Sequence, residues 1–313
     1  MNDTVEQAVN RAYVFPGQGS QKVGMGRDLY DAFSSTRKVF EEADEALGMH
    51  LSKLCFEGPD QELCQTVNAQ PAILTMSIAC LRAAAEIYGE LVRPAYMAGH
   101  SLGEYTALVA AGVLDFADAV RLTRQRGALM QHAGQVAPGG MVAIIGLDEV
   151  AVEQVCQETG ARISNINSPG QIVVSGTRES MVRAIDLSLS MGARYSKPLN
   201  VSGAFHSHLM EPAVEGMAKA ITDVRFNDPI VPIVVNSTAK PVASADEIKQ
   251  ELLDQIANCV QWQKSVECMV RGGVDTFVEI GPGQVLAGLI KRISKDARTM
   301  NVGDVSSVKS MKL

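Results

Sequence analysis

Short apolar runs alternate with longer amphipathic stretches along this chain, and that alternation is typical of an α/β protein. Apolar runs bounded by glycine, proline or charged residues predict strands at residues 13–15, 95–98 and 276–280. Apolar positions three or four residues apart predict helices over 102–111 and 116–130. Because helices separate the predicted strands, we expect a parallel sheet covered by helices.

The middle of the chain follows a different order. After a Pro-Gly-Gly break at 138–140, the pattern reads strand, helix, strand, strand, helix, strand as far as about residue 202. This is the order of elements in a ferredoxin-like domain. We therefore predict a small ferredoxin-like lobe over 139–202, inserted into a larger α/β lobe made of 1–138 and 203–313.

Further elements are expected in the larger lobe. Residues 70–88 predict a helix with Pro71 in its first turn, where a proline needs no N–H partner. Residues 231–236 predict a strand, and 285–293 predict the last helix. The polar residues from about 300 onwards predict a frayed tail.

The charge balance and the apolar content narrow the class of protein. With 28 basic and 35 acidic side chains, the formal charge of −7 does not suit a protein that binds nucleic acid through its phosphates. A hydrophobic content of 46% is enough for a large packed core. The apolar stretches at 72–85 and 102–114 are shorter than the ~20 residues of a membrane span, and the first residues carry no signal-peptide pattern. We expect a monomeric cytoplasmic protein without nucleic-acid or membrane partners.

A nucleophile elbow is the clearest chemical signal. Gly99-His100-Ser101-Leu102-Gly103 lies between a predicted strand and a predicted helix. This is the G-x-S-x-G pattern of an α/β-hydrolase-like core, in which a tight turn presents the serine at a helix N-terminus. The free N–H groups of that helix end can stabilise an oxyanion beside the serine. The alternative is that Ser101 only caps the helix, with Glu104 completing a capping box.

A serine nucleophile needs a general base, and the chain has five histidines. His100 is adjacent to the serine, and its side chain is expected to point away from it. His50 and His132 lie in segments expected at the surface. His206 and His208 follow a predicted strand end, where catalytic side chains of open α/β sheets lie. The pattern alone does not choose between these two.

Other motifs predict neither a metal nor a bound cofactor. None of the six cysteines forms a C-x-x-C pair, so we predict reduced thiols. The glycine-rich loop at 17–21 follows a strand, but Lys22 breaks the G-x-G-x-x-G spacing of a dinucleotide site. That loop is better interpreted as backbone that approaches a substrate. Residues 279–283 have the pattern of a structural turn.

Seven segments together resemble the malonyl-CoA:acyl carrier protein transacylases, and they occur in family order over about residues 12–295. The matching segments are 15–21, 99–104, 126–127, 165–170, 205–207, 260–262 and 279–283. The resemblance implies an acyltransferase that moves the malonyl group of malonyl-CoA to the phosphopantetheine thiol of acyl carrier protein, for fatty acid synthesis. It implies acyl carrier protein as the partner.

The resemblance also assigns roles in a two-step mechanism with a malonyl-serine intermediate. It implies that Ser101 is the nucleophile and that His206, rather than His208, is the general base. The main-chain carbonyl of Gln255, seven residues before the tryptophan at 262, would orient the histidine. The backbone N–H groups of Gln18 and Leu102 would hold the oxyanion.

Three further positions gain a role from the resemblance. Arg126, which its surroundings alone would describe as a solvated charge, would bind the malonyl carboxylate through two parallel hydrogen bonds. Phe205 would crowd an α-methyl branch of the acyl group, or else is a core aromatic. Asn165 would support the site. The segment 68–71 departs from the family pattern, which more often has threonine before Gln-Pro.

Three alternatives stay open at this point. The same pattern suits a free-standing trans-acting acyltransferase of polyketide assembly. A serine hydrolase is less well supported, because the chain has no H-G-G-G oxyanion loop and no Asp-Gly-Gly or Asp-Gly-Ala segment at the expected place. A non-catalytic carrier-binding module with a decayed site is also less well supported, because the chain retains Ser101, His206 and Arg126.

The basic residues are unevenly distributed. Acidic side chains outnumber basic ones in residues 1–90, whereas basic side chains are in excess after residue 270. The excess includes a cluster at Lys291, Arg292, Lys295 and Arg298. We interpret this basic cluster as a surface that attracts an acidic carrier protein, or alternatively as a solvated helix end.

Overall fold

Residues 10–311 are described by the computed structural model, and their ten strands form two separate sheets. In chain order, the strands are β1 (Arg11–Phe15), β2 (Tyr96–Gly99), β3 (Gly139–Ile145), β4 (Arg162–Ser168), β5 (Gln171–Thr177), β6 (Tyr195–Pro198), β7 (Ile233–Val234), β8 (Pro241–Val242), β9 (Thr276–Ile280) and β10 (Arg298–Val302). The predicted lobe limits at residues 1 and 313 lie outside the described residues.

The same residues form fourteen α-helices and a short 3₁₀ helix at His208–Met210. The α-helices are α1 (Arg27–Ala32), α2 (Ser34–Leu47), α3 (Leu51–Glu57), α4 (Asp60–Leu63), α5 (Thr66–Tyr88), α6 (Leu102–Ala110), α7 (Phe116–Val136), α8 (Glu149–Thr159), α9 (Arg178–Ser190), α10 (Glu211–Thr222), α11 (Ala245–Ala257), α12 (Trp262–Arg271), α13 (Val285–Ile293) and α14 (Val305–Lys309). The two longest, α5 and α7, pack against each other.

The larger sheet has the strand order β10-β9-β1-β2-β7-β8, and every neighbouring pair is parallel except β7 with β8. Strand β1 is central and buried on both faces. Tyr13 and Phe15 belong to one hydrophobic core, and Ala12 and Val14 belong to another. Successive side chains of a strand point to opposite faces, so this continuous apolar run needs helices on both sides. The predicted parallel sheet with helical cover is confirmed.

The smaller sheet is antiparallel, with the order β4-β5-β3-β6. Its elements follow the predicted order strand, helix, strand, strand, helix, strand. Helices α8 and α9 pack on it around a third hydrophobic core that includes Val142, Ile144 and Val152. A parallel bridge between Asn165 and Val260 joins β4 to the segment that precedes α12. The molecule therefore combines a parallel-sheet core with a separate antiparallel sheet.

Helix α5 begins earlier than the prediction, so Pro71 lies inside the helix and not in its first turn. The proline has no N–H, so the Val67 carbonyl loses the helical hydrogen bond that a non-proline residue at 71 would donate. The helix persists because most of its side chains are buried in the main core, and packing outweighs this local cost. By length and composition α5 could span a membrane, but 67% of its most apolar window is buried inside the protein.

Three other boundaries differ from the prediction. Helix α7 continues to Val136, and the strand expected over 231–236 is reduced to the two residues of β7. The tail from residue 300 is not frayed, because β10 pairs with β9 and α14 follows it. Main-chain pairing to a neighbouring strand does not require apolar side chains, and only Val302 of β10 is buried. The polar pattern of this segment therefore gave the wrong prediction.

Candidate active site

Ser101 lies in a strained turn between β2 and α6. Its φ of 51° and ψ of −105° are uncommon for a residue with a side chain. A Cβ atom on Gly99 would lie 1.8 Å from the carbonyl carbon of Gly103, and one on Gly103 would lie 2.1 Å from the carbonyl oxygen of Phe15. Close packing of β1, β2 and α6 thus requires both glycines. The Ser101 side chain makes no capping bond to α6, so the capping alternative is wrong.

Ser101 and His206 are in hydrogen-bond contact. The distance between Ser101 Oγ and His206 Nε2 is 2.8 Å, and His206 Nδ1 lies 2.8 Å from the main-chain oxygen of Gln255. A carbonyl oxygen only accepts hydrogen bonds, so Nδ1 carries the ring hydrogen and Nε2 is free to accept one. This geometry allows the histidine to take the proton of the serine hydroxyl.

The position of His206 in the fold differs from the prediction. Strand β6 belongs to the antiparallel sheet and ends at Pro198, so His206 lies in a loop and not at a strand end of the parallel sheet. The backbone at His206 has a φ of 57°. His208 is exposed and begins the 3₁₀ helix. Packing of the loop against α11 therefore selects between two histidines that the sequence pattern left equivalent.

Arg126 is buried beside the same serine. Its Nη1 donates to Gln70 Oε1 at 2.9 Å, and its Nη2 donates to Gln255 Oε1 at 2.8 Å and to Ser101 Oγ at 3.2 Å. The side chain is only 1% exposed, so the solvated charge that its surroundings alone suggested is wrong. Within residues 10–311, Arg126 forms no ion pair with a carboxylate. The site thus contains a buried positive charge whose direct partners are all neutral.

Burial and this charge set the protonation states of the site. Burial, and next the Arg126 charge, lower the pKa of His206 to about 3, which keeps the imidazole neutral and able to accept a proton. Burial also lowers the pKa of Arg126, although a guanidinium remains protonated in proteins. Burial and the nearby Glu251 raise the pKa of Glu104 well above its usual range.

The serine, histidine and arginine open into a cleft of about 340 Å³. Its walls come from strands of the antiparallel sheet and from loops and helices of the larger lobe, including the segments that follow β1 and β2. Four other residues named by the sequence line it: Gln18, Leu102, Asn165 and Phe205. Leu102 is the first residue of α6, where N–H groups lack helical partners. Phe205 also belongs to the main hydrophobic core, so its ring is shared between core and cleft. Within residues 10–311, no cluster of His, Cys, Asp and Glu is arranged to hold a metal ion.

The sequence reasoning missed three amide side chains of the site. Asn236 contacts the backbone of Ser101, and Gln70 accepts from Arg126. Asn167 Oδ1 lies 2.8 Å from Nε2 of His100, whose ring packs against the tryptophan at 262. Two of them gave a signal in the sequence: Gln70 is a polar residue beside a proline in an otherwise apolar helix, and Asn167 lies in the matching segment 165–170. Asn236 is identified by its contacts with a distant segment.

This chain is similar to known enzymes over nearly its whole length. The family model described as "Acyl transferase domain" matches residues 12–312, which makes this chain an acyltransferase. The malonyl CoA-acyl carrier protein transacylase of Escherichia coli (strain K12) is 47% identical over 286 residues, which are 90% of this chain and 92% of that protein. The enzyme of the same name from Bacillus subtilis (strain 168) is 43% identical over 302 residues, or 95% and 94% of the two chains. The chain belongs to the family of malonyl CoA-acyl carrier protein transacylases.

Solved structures agree with this family. The crystal structure of an acyl carrier protein S-malonyltransferase from Vibrio cholerae O1 biovar eltor has a TM-score of 0.93 and 42% identity, covering 97% of this chain and 100% of that chain. A malonyl-transacylase in complex with its type II PKS acyl-carrier protein has a TM-score of 0.92 and 42% identity, covering 96% and 98%. The combination of a parallel-sheet core and a separate antiparallel sheet is therefore that of known malonyltransferases.

Proposed function

We propose that this protein transfers the malonyl group of malonyl-CoA to the phosphopantetheine thiol of acyl carrier protein. The observation that carries the proposal is the buried guanidinium of Arg126, 3.2 Å from Ser101 Oγ and without a carboxylate partner among residues 10–311. A malonyl group joins a thioester carbonyl to a carboxylate through one carbon atom. An acyl carbonyl at the serine would therefore bring its carboxylate within reach of the arginine, which can bind it through two charge-assisted bonds.

The first chemical step acylates the serine. His206 takes the proton of Ser101 as Oγ attacks the thioester carbonyl of malonyl-CoA. The backbone N–H groups of Leu102 and Gln18, which both line the cleft, hold the oxyanion. The C–S bond then breaks, and the CoA thiolate leaves with the proton that the histidine held. The Gln255 carbonyl keeps the imidazole in the required tautomer and orientation.

The second step reverses the first with a different thiol. His206 takes the proton of the phosphopantetheine thiol, whose sulfur attacks the malonyl ester on Ser101. The ester C–O bond breaks and the serine recovers its proton. Malonyl-CoA and the carrier-bound phosphopantetheine are thus substrates, and the mechanism needs no resident cofactor. Alternation of two substrates at one covalent intermediate gives ping-pong kinetics.

Two residues of the cleft are proposed to tune the reaction. Phe205 is 6% exposed and lines the cleft next to His206, so its ring would restrict an α-methyl branch on the acyl group. Asn165 is 5% exposed, and its backbone is bridged to Val260. We propose that it supports the cleft wall.

Acyl transfer to a purified carrier protein tests the proposed function. Labelled malonyl-CoA, methylmalonyl-CoA and acetyl-CoA are supplied in parallel, and the acylated carrier is separated and counted. We expect the malonyl group to be transferred much faster than the methylmalonyl or acetyl group. The carrier proteins of fatty acid synthesis and of polyketide assembly are compared in the same assay, because both pathways use this chemistry. We propose fatty acid synthesis; preference for a polyketide carrier would favour the trans-acting alternative, and fast hydrolysis to free malonate would favour a hydrolase.

The pH dependence of Ser101 reactivity should reflect the lowered pKa of His206. Because only the neutral imidazole accepts a proton, reactivity is retained at pH values below the usual histidine pKa of 6.5 and is lost towards about 3. Arg126→Ala removes a positive charge that lowers this pKa, so the acid limb should move to higher pH. The measurement is the rate of Ser101 modification by phenylmethylsulfonyl fluoride, a neutral reagent, with circular dichroism to confirm folding. An acid limb at pH 6.5 in the unaltered protein would contradict the assignment.

The basic cluster lies next to the mouth of the cleft. Val285, Leu286 and Leu289 of α13 line the cleft, and the end of the same helix carries Lys291 and Arg292. The guanidinium of Arg292 donates to the side chain of Gln171, which also lines the cleft. Lys291, Arg292 and Lys295 are exposed, whereas Arg298 is paired with Asp275 at 3.0 Å. We propose that Lys291, Arg292 and Lys295 attract the acidic carrier protein.

Charge reversal tests this docking surface. Lys291→Glu and Lys295→Glu together should raise KM for the carrier protein several-fold and leave KM for malonyl-CoA unchanged, and the effect should weaken at high salt. Lys219→Glu on α10 is the control, because this exposed lysine lies on a helix that does not line the cleft. Unchanged carrier kinetics in the double variant would reject the proposal.

The finer description of the fold is also proposed. The order of elements and the sheet order β4-β5-β3-β6 support a ferredoxin-like lobe over 139–202. The elbow at the end of β2 supports a hydrolase-like larger lobe made of 1–138 and 203–313. The monomeric state and the cytoplasmic location stay predictions, which light scattering and cell fractionation test.

A further inference from the structure

The side chain of Asn236 bridges the two ends of the turn that presents Ser101. Its Nδ2 donates to the carbonyl oxygen of Gly99 at 2.7 Å, and its Oδ1 accepts from the N–H of Ser101 at 2.6 Å. Asn236 is completely buried and follows β7, which is the neighbour of β2 in the larger sheet. One amide therefore holds the backbone on both sides of His100.

Backbone contacts fix Asn236 itself. Its N–H donates to Glu104 Oε2 at 2.8 Å, and its carbonyl oxygen accepts from the N–H of Gln261 at 2.8 Å. Glu104 lies in the first turn of α6, the helix that begins directly after the strained serine. Asn236 thus bonds to the elbow through its side chain and to α6 through its backbone N–H. Every polar group of Asn236 has a partner.

A second amide controls the other side of the serine. Gln255 Nε2 donates to the Ser101 carbonyl oxygen at 3.1 Å and lies 3.5 Å from Asn236 Oδ1. In a trans peptide the C=O and N–H point in opposite directions, so holding the Ser101 carbonyl turns the Leu102 N–H the other way. The peptides before and after the serine Cα therefore each have a side-chain amide partner.

We infer that Asn236 is a positioning residue: it fixes the peptide between His100 and Ser101, and so keeps Ser101 Oγ within reach of His206. The inference rests on the proposed function, in which Ser101 is the nucleophile. A non-glycine residue with a φ of 51° keeps that conformation only where its surroundings enforce it. Because Asn236 occupies the N–H of Ser101, the N–H of Leu102 is the donor left at this turn for an oxyanion.

The test compares Asn236→Ala with a control of equal burial. Asn236→Ala should lower the single-turnover rate of Ser101 malonylation about 10²-fold, which is the cost of a small misplacement of reacting atoms. KM for malonyl-CoA should stay unchanged, because Asn236 does not line the cleft. Ser265→Ala is the control: its buried hydroxyl donates to Gln261 O at 3.1 Å beside the same loop and does not contact Ser101. We expect it to lose stability but to malonylate within about threefold of the unaltered rate.

Asn236→Asp provides a second readout. A protonated carboxyl reproduces the amide, with one oxygen for the Ser101 N–H and an O–H for the Gly99 carbonyl, whereas an ionised one does not. Burial beside the carboxyls of Glu104 and Glu251 favours the protonated form, and the positive charge of Arg126 opposes it. The malonylation rate of this variant should therefore rise as the pH falls, in contrast to the flat profile expected of the unaltered protein between pH 5 and 8.

The outcomes separate the inference from the proposed function. A folded Asn236→Ala protein that malonylates at the unaltered rate would overturn the positioning role, and so would an Asn236→Asp variant with the unaltered pH profile. Absence of malonylation in the unaltered protein would instead overturn the proposed function. If Asn236→Ala does not fold, the pH profile of malonylation by Asn236→Asp tests the positioning role by itself.

Discussion

Replacement of Ser101 by alanine is expected to abolish covalent malonylation and to lower malonyl transfer by about 10⁴-fold or more, as loss of a nucleophile does in other serine enzymes. The hydroxyl is the only group that the proposed mechanism uses to carry the acyl chain, and it lies 2.8 Å from the base. Mass spectrometry of the intact protein mixed with malonyl-CoA is the measurement. The unaltered protein should gain one malonyl group, and Ser101→Ala should gain none.

The matched control is Ser202→Ala. Ser202 lies in the loop that carries His206, and its hydroxyl lies 2.9 Å from Thr66 Oγ1, but its side chain is not part of the cleft wall. The control should form the adduct as the unaltered protein does. An adduct that persists on Ser101→Ala would move the nucleophile to another residue.

Arg126→Ala is expected to cost malonyl transfer far more than acetyl transfer. Removal of one partner of a buried charge pair costs about 2–5 kcal/mol, or roughly 30- to 5,000-fold in kcat/KM. The acetyl group has no carboxylate for the guanidinium to bind, so its slow transfer should change little. The measurement is kcat/KM for both acyl-CoA substrates with the same carrier protein. Arg126→Lys keeps the charge without the bidentate geometry, so its kcat/KM for malonyl-CoA should lie between those of the unaltered protein and Arg126→Ala.

Arg124→Ala is the control for this variant. Arg124 lies on the same helix, and its Nη1 donates to Asn68 Oδ1 at 2.8 Å, away from the cleft wall. Arg124→Ala should change kcat/KM for the two acyl-CoA substrates equally and only slightly. Equal large losses for malonyl and acetyl transfer in Arg126→Ala would remove Arg126 from the role of carboxylate clamp.

The parts of the fold that follow from local patterns were predictable. Strand β9 and helix α13 occur at the predicted residues, and the order of elements in the antiparallel sheet is as expected. Each of these segments has a periodicity that matches its own conformation. Helix α5 and strand β10 differ from the prediction because their limits depend on neighbouring elements. Burial stabilises α5 on both sides of Pro71, and pairing with β9 makes a strand of the polar residues of β10.

The elbow follows from the sequence alone, because the two glycines around Ser101 and the strand–helix context are local requirements of one tight turn. The local pattern left His206 and His208 equivalent, and the resemblance favoured His206. The packed structure brings His206 into contact with Ser101 and buries the charge of Arg126. It also brings the Asn236 amide into contact with the backbone of Ser101. These three facts depend on contacts between segments 25 to 135 residues apart. Local periodicity does not encode such contacts, and they exist only once β2, β7, α7 and the loop before the 3₁₀ helix are packed together.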